Sequence, residues 1–416
     1  MLGTSELLLI SVVMQIGLAL PMAYYFHRAT VVGLPANMLV VPLKELLMPA
    51  AVTAMALGYI SHALAKIPVL IAAFALEGIA GTVRWLGGLR VADLRVPTPA
   101  ATLILMSALS IALAMALIRR HRWLAAAGIA GLATSAFWIS AVPPHPQFRP
   151  AVLEMTAIDV GQGDSILLVS PTGRTLLVDA GGLPQWVHSE LDIGEDVASP
   201  YLWSRAISRL DALAITHPHA DHMGGAAAIL ANFRPKELWL SDSSDPEMNA
   251  LVQDAQQLGV RVVQHQAGDE FDFGGAEVRV LAPGAADPAT RRNDESLVMK
   301  VAYGKTSVLL EGDAEKRSEQ QIAEEQPEAD LLKVAHHGSA TSTIPLLLDR
   351  VHPRFAVISV GARNTYGHPR REVLARLGEA HIVTYRTDLD GAVTFYLDGS
   401  TVTPSLPLSP ALAEVR

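Results

Sequence analysis

Two hydrophobic rhythms divide the chain. Before Val142 apolar residues run in long, nearly unbroken stretches; after Val152 they come in short runs punctuated by Gly, Asp and Pro. At about 1.5 Å of rise per residue, Leu7 to Phe26 is long enough to cross a hydrocarbon core of about 30 Å as one helix. Further stretches of this kind are Leu39 to Ile60, Val69 to Trp85, Ala100 to Ile118 and Trp123 to Val142. Pro42, Lys44, Glu45 and Pro49 interrupt the second, which reads equally as a plain span or as a broken, re-entrant helix lining a cavity. Pro143, Pro144, Pro146 and Pro150 then mark a stiff linker.

The second rhythm predicts strands at Val152 to Val160, Ser165 to Ser170, Thr175 to Val178, Ala212 to Ile215, Glu237 to Leu240, Val260 to His265, Val278 to Leu281, Leu297 to Tyr303 and Ser307 to Glu311. Amphipathic helices are predicted around Asn249 to Leu258, Glu315 to Glu324, Ile344 to Arg350 and Arg371 to Glu379, with Ser342 as N-cap of the third. A closing hairpin spans Ala392 to Thr403 and turns at Asp398-Gly399. Strand runs with helices beside them predict an α/β domain of sheets sandwiched between helices, preceded by an α-helical transmembrane segment. The divisions are 1–142 for the membrane helices, 143–151 for the linker, 152–403 for the sandwich and 404–416 for a tail.

Composition sharpens this division. Half of the 416 residues are hydrophobic and the mean hydropathy is +0.30, which excludes an ordinary wholly soluble protein. Residues 1–150 carry a net charge of +6 and residues 151–416 one of −15, within the total of −9. The chain has no cysteine, so disulfides and thiolate metal sites are excluded. The N-terminus lacks a basic stretch and a small-residue cleavage pattern, which argues against a cleaved signal peptide. Arg119, Arg120, His121 and Arg122 form the densest basic loop; such loops stay cytoplasmic, which places everything after Val142 outside. Arg84, Arg90 and Arg95, partly offset by Asp93, argue the other way.

Candidate chemistry concentrates in Thr216 to Gly225, Thr-His-Pro-His-Ala-Asp-His-Met-Gly-Gly, directly after the apolar run ending at Ile215. His217 and His219 reach one ion from a short turn, while Asp221 and His222 leave that turn in another direction and suit a second ion. Other polar groups also follow apolar runs. Asp179 ends Thr175 to Val178, Asp313 ends Ser307 to Glu311 through Gly312, and His336 and His337 end Leu331 to Ala335. Asp313 is placed to bridge two ions, with one of the paired histidines completing the second.

Seven stretches resemble, in this order, the C-terminal domain of the ComEC family. They are Gly161-Gln162-Gly163-Asp164-Ser165, Asp179-Ala180-Gly181-Gly182, the His-x-His-x-Asp-His stretch, Asn293-Asp294-Glu295-Ser296, Leu310-Glu311-Gly312-Asp313, Lys333 to Ser339, and Asn364-Thr365-Tyr366-Gly367-His368-Pro369. That family comprises bacterial inner-membrane channels that import single-stranded DNA during natural transformation. Before the linker, Gln15 to Pro21, Phe26-His27-Arg28 and Ala36-Asn37 to Pro42 resemble the end of its membrane competence domain.

The resemblance implies a metallo-β-lactamase fold, an αββα sandwich. It implies metal ligands at His217, His219, Asp221, His222, Asp313 and one of His336 or His337, with Asp221 and Asp313 catalytic. One or two divalent ions, Zn or Mn, are the implied cofactor. The histidine that the general pattern expects between the cluster and Asp313 is missing. His265 is the one histidine there, inside an apolar run, and reads as a core or surface residue. The first site is then completed by Asn293, Asp164 or water, an oxygen-rich arrangement that suits Mn²⁺ or Mg²⁺ as well as Zn²⁺. Asp164, Ser165, Asn293, Lys333, Ser339, Asn364, Tyr366 and His368 are candidates to bind substrate.

The implied function is metal-dependent hydrolysis of phosphodiesters in incoming DNA by part of an inner-membrane uptake channel, its C-terminal domain on the periplasmic side. Implied partners are single-stranded DNA, membrane lipid, other competence proteins and a missing N-terminal channel half, since family members carry more helices and a small soluble domain. The chain thus reads as a truncated copy, half of a split gene, or an excerpt. Two other readings are a membrane-anchored metallohydrolase of a small ester or thioester, and a truncated transport module without turnover. The charge of −15 opposes broad attraction to DNA, so Arg291, Arg292, Arg363, Arg370 and Arg371 are the local basic candidates.

Overall fold

The computed structural model describes residues 4–405 apart from 90, 118–120, 143, 147, 185, 188, 242–244 and 285–291. Arg119, Arg120, Arg291 and most of the expected tail therefore lie outside the described residues, as does Arg90. Contacts group the chain into two units, Met1–Pro146 with Trp203–Ala206, and Gln147–Leu202 with Ile207–Arg416.

The first unit contains helices α1 (Thr4–Tyr25), α2 (Gly33–Gly58), α3 (His62–Gly87), α4 (Ala101–Leu117) and α5 (Arg122–Ala141), and a two-residue ladder of β1 (Arg28–Ala29) with β2 (Leu94–Arg95). Among the described residues, four helices are long and apolar enough to cross a bilayer, and α4 is a shorter apolar helix. Large apolar side chains such as Phe74 and Met115 point outward from the helices, as a lipid-facing surface requires. Of the two readings of the second stretch, α2 forms the plain one, running unbroken through Pro42 and Pro49. Ser61 Oγ accepts the Ala63 N–H and starts α3 after a tight turn. Small residues let α4 and α5 approach closely: a Cβ on Gly128 would lie 2.7 Å from Ala114 N.

The second unit holds β3 (Leu153–Ala157), β4 (Ile166–Val169), β5 (Thr175–Val178), all but the last two residues of α6 (Ser199–Ser204), β6 (Ala212–Ile215), α7 (Ala220–Met223), α8 (Ala226–Phe233), β7 (Glu237–Leu240), α9 (Pro246–Gln257), β8 (Arg261–Gln264), β9 (Glu270–Phe273) and β10 (Ala276–Ala282). It continues with β11 (Val298–Tyr303), β12 (Thr306–Leu310), α10 (Lys316–Glu324), β13 (Leu331–Lys333), α11 (Pro345–Val351), β14 (Phe355–Ile358), α12 (Arg371–Glu379), β15 (Val383–Arg386), α13 (Thr387–Asp390), β16 (Val393–Leu397) and β17 (Val402–Ser405). One sheet has the order β17-β16-β3-β4-β5-β6-β7-β8 and the other β15-β14-β13-β12-β11-β10-β9.

Strand alternation explains the layers. Met155, Leu168, Leu176, Val178 and Trp239 of the first sheet meet Val278, Met299, Val308, Leu331 and Val357 of the second in one core. The opposite faces of β12, β13 and β14 present Leu309, Leu332 and Ala356 to Ile322, Leu347, Val373 and Leu377 of the covering helices. The domain is an αββα sandwich, with β5, β6, β7 parallel in one sheet and β12, β13, β14, β15 parallel in the other.

Two sequence expectations need correction. The N-cap expected at Ser342 does not form: its Oγ donates to Ala314 O at 2.8 Å, and α11 begins at Pro345 after Ile344. The buried Glu319 carboxylate instead accepts the Ile344 N–H at 2.8 Å and the Thr343 N–H, holding the chain's entry into that helix. β9, β14 and β15 are strands that periodicity did not single out; four-residue strands at a sheet edge, or parallel and covered on both faces, carry little alternation to read.

Candidate metal centre

The polar groups collect at the C-terminal ends of neighbouring parallel strands, where open α/β sheets present their ligands. Asp179 follows β5, Thr216 to His222 follow β6, Asp313 follows β12, and His336 and His337 follow β13. Both paired histidines hold left-handed backbone, with φ of 49° and 52°, which costs about 1–2 kcal/mol per residue. That turn sends the two rings apart. Both line the cleft, but His337 is buried, with its Nδ1 2.9 Å from Ser359 O, whereas His336 is partly exposed.

Two groups of ligand-type atoms form on either side of Asp313. Asp221, His222, Asp313 and His337 make the first, with His222 Nε2 3.1 Å from Asp313 Oδ1 and His337 Nε2 3.3 Å from Asp221 Oδ2. His217, His219 and Asp313 make the second, with His217 Nε2 3.0 Å from His219 Nδ1 and 3.8 Å from Asp313 Oδ2. The two oxygens of Asp313 thus face different groups. His336 Nε2 stands 3.6 Å from Oδ2, on the side of the second.

These atoms fit a divalent cation. His222 Nε2, His337 Nε2 and Asp313 Oδ1 are buried without a hydrogen-bond partner among the described residues. They converge, with Asp313 Oδ1 3.1 and 3.7 Å from the two nitrogens. Two donors on a tetrahedral ion with bonds near 2.0–2.1 Å lie roughly 3.4 Å apart. Without a cation, only one another's charge offsets the burial of these three atoms, which is expensive.

Asp179, absent from the set of site residues expected from sequence, orients this centre. Its Oδ2 lies 2.8 Å from His222 Nδ1 and accepts the Thr216 hydroxyl at 2.8 Å, and its Oδ1 accepts the Thr216 N–H at 2.8 Å. A proton held on Nδ1 leaves the Nε2 lone pair facing Asp313. Charges interlock in the same way. Burial opposes charge on His222, but the carboxylates of Asp313 and Asp179 prevail and hold it well above the ordinary histidine range. Burial likewise opposes charge on Asp313, and His222 and His337 hold it well below the carboxylate range. His217, buried beside His222, is pushed well down. Without a cation the centre therefore carries protons that metal binding displaces.

The expected substrate contacts divide. Tyr366 and His368 line a cleft of about 350 Å³ whose walls include Asp221, Asp313 and His336. Lys333 does not reach it. Two residues after Leu331 on β13, it shares that residue's face and not that of Leu332, so its side chain enters the space between the sheets, where Nζ donates to the Asp164 carboxylate and to Gly312 O at 3.3 Å. Asp164 and Ser165 are buried as well, the former turned toward Lys333 and within 3.8 Å of His222 Nδ1. Asn293 donates to Glu315 Oε1 at 3.1 Å, Ser339 pairs with Thr341, and Asn364 spends its amide on Gly361 O, His368 O and the His368 N–H. These residues shape loops around the site. His265 sits apart after β8, stacked on Phe271 and 3.1 Å from Asp269. Gln162 and Trp186 also line the cleft, and sequence reasoning missed both as site residues. At φ +138°, Gly163 lets this loop meet the turn of Asp221, whose carbonyl a Cβ would approach to 2.3 Å.

Fold and site define a membrane protein that carries a metallo-β-lactamase domain, a fold that implies divalent metal binding. Comparison with known families agrees: residues 158–362 match the metallo-beta-lactamase superfamily, and residues 2–121 match the competence protein family. The chain is 30% identical over 403 residues to ComE operon protein 3 of Bacillus subtilis, covering 94% of this chain and 51% of that protein. It is 33% identical over 252 residues to Recombination protein 2 of Haemophilus influenzae, and 29% identical over 246 residues to Competence protein ComA of Neisseria gonorrhoeae. Those matches cover 59% and 58% of this chain. The chain belongs with the ComEC-like competence proteins. It spans about half the length of the Bacillus relative and about three tenths of the other two.

Proposed function

We propose that the metallo-β-lactamase domain hydrolyses phosphodiester bonds of single-stranded DNA handled by a ComEC-like uptake channel in the bacterial inner membrane. The observation that carries this is the placement of Asp313, whose two oxygens face two separate ligand groups at the floor of an open cleft. Divalent ions there supply Lewis acidity toward phosphoryl oxygens and a water nucleophile at neutral pH. Asp221, His222, Asp313 and His337 would hold one ion, and His217, His219 and Asp313 would hold another. Nitrogen and carboxylate donors without thiolate suit Zn²⁺ or Mn²⁺.

Around them Asp179 keeps the His222 proton on Nδ1, and the Lys333–Asp164 pair braces the loop behind His222. Burial and the Asp221 carboxylate push the Tyr366 hydroxyl up, so it stays protonated and available to donate to a phosphoryl oxygen. The helices of the first unit anchor the domain, and the basic residue opening α5 favours an orientation that leaves the C-terminal domain on the periplasmic side.

The test is incubation of the full chain in nanodiscs with labelled single-stranded DNA and Mn²⁺ or Zn²⁺, beside Asp221→Ala and His222→Ala. Metal-dependent cleavage that both substitutions abolish is expected. No metal-dependent cleavage by the unsubstituted chain overturns the reading.

A further inference from the structure

A ladder of rings leads from solvent to the metal centre. Trp186 is 64% exposed and lines the cleft. Its ring centroid lies 5.9 Å from that of Tyr366, and Tyr366 stacks on His368 at 5.8 Å with 23° between the planes. His368 meets His336 edge-on at 5.9 Å, and His336 reaches Asp313.

We propose that Trp186 and Tyr366 form a stacking rail that holds unpaired nucleobases of a single strand while an adjacent phosphate sits at Asp221 and Asp313. The proposal rests on the phosphodiesterase reading and names how that site grips its substrate. Two observations converge on a base. An indole left open to water at a cleft mouth contributes nothing to the core, and beside a second ring it offers a π-face to a flat partner. The net charge of −15 on residues 151–416 withholds the general electrostatic attraction most DNA-binding proteins use, so affinity has to come from local contacts. Stacking on aromatic rings is such a contact, and it tolerates any sequence because every base has a π-face. A duplex is excluded from the rail, since its base faces are already covered by each other.

The experiment compares two labelled strands of equal length, an oligothymidylate and an abasic strand, both with phosphorothioate linkages that keep the charge and resist cleavage. Their affinities for the full chain in nanodiscs are read by fluorescence anisotropy at physiological salt. Stacking is worth roughly 5- to 150-fold per base, so the base-bearing strand binds tighter by at least that lower factor. The ratio of the two affinities falls toward one in the Trp186→Ala/Tyr366→Ala variant and is retained in Trp186→Phe. A ratio near one in the unsubstituted chain overturns the rail, as does a ratio that the double substitution leaves intact. Metal-dependent cleavage with a ratio of one removes the rail and leaves the nuclease; a preserved ratio with no cleavage removes the nuclease and leaves base binding.

Discussion

Replacing Asp179 by Asn tests whether the centre depends on the tautomer of one histidine. The substitution keeps shape, and Asn tolerates the residue's φ of +62° at least as well as Asp does. Asp179 uses both oxygens as acceptors, from the Thr216 N–H on one side and from the Thr216 hydroxyl and His222 Nδ1 on the other, all at 2.8 Å. An amide offers one acceptor oxygen. If that oxygen stays with the Thr216 N–H, the NH₂ group faces His222 Nδ1, and two donors confront each other. Imidazole escapes by moving its proton to Nε2, the atom that faces Asp313 at 3.1 Å, and Nε2 then has no lone pair for a cation. Losing such an outer partner weakens metal binding by about 10- to 100-fold, about 1.4–2.8 kcal/mol. Competition against a chromophoric zinc chelator reads the affinity, and far-ultraviolet circular dichroism confirms that the variant is folded. A folded Asp179→Asn protein with unchanged zinc affinity refutes the reasoning, because His222 Nε2 would then not be a ligand.

Three further outcomes follow from the same geometry. Elemental analysis of the purified chain is expected to show about two ions per chain, about one after either His337→Ala or His217→Ala, and none after Asp313→Ala, which serves both groups; equal loss in all three variants contradicts separate sites. Glu311 is buried with both carboxylate oxygens unpartnered among the described residues, and burial together with Glu319 holds it well above the carboxylate range. Glu319 is pushed up to about 7, chiefly by burial. Raised native values mean that the folded state binds more protons than the unfolded one, so this pair's stability is full below the ordinary Glu range of about 4.5 and is lost as pH rises through 7. Glu311→Gln cannot ionise and should flatten that slope in thermal unfolding scans; curves parallel to the unsubstituted chain refute it. Gly163→Ala places a Cβ 2.3 Å from Asp221 O and should lower metal affinity more than it lowers helix content, measured by the same chelator competition and by circular dichroism.

What sequence could supply was local. The long apolar stretches needed only length and composition to be read, and the His217 to His222 cluster needed only its spacing, because its donors lie on one turn. Asp313, His336 and His337 could be guessed from their position after apolar runs. Only the adjacency of β12 and β13 brings them together, with Leu310 opposite Lys333. Asp179 was visible as a strand end, but its role depends on β5 lying beside β6, so that it meets Thr216 and His222. Lys333 misled for the converse reason. A lysine next to a histidine pair suggests an exposed phosphate contact, while strand alternation sends it inward to Asp164. Trp186 was illegible because nothing periodic marks its loop; its meaning comes from the ring of Tyr366, distant in sequence.

The charge of the second unit and the rings at its cleft are two sides of one physical argument. A protein that gripped DNA by neutralising many phosphates would show a steep loss of affinity with salt and hold the strand along its length. With −15 on residues 151–416, repulsion is felt mainly within about 8 Å at physiological ionic strength. If the domain handles DNA as proposed, a strand is held where metal ligands and aromatic faces coincide and is weakly held elsewhere. Under the proposed reading this confines attachment to one or two nucleotides, so the strand can advance past the site between cleavage events, and it selects single strands because only they offer a bare base to Trp186 while a phosphate reaches Asp313.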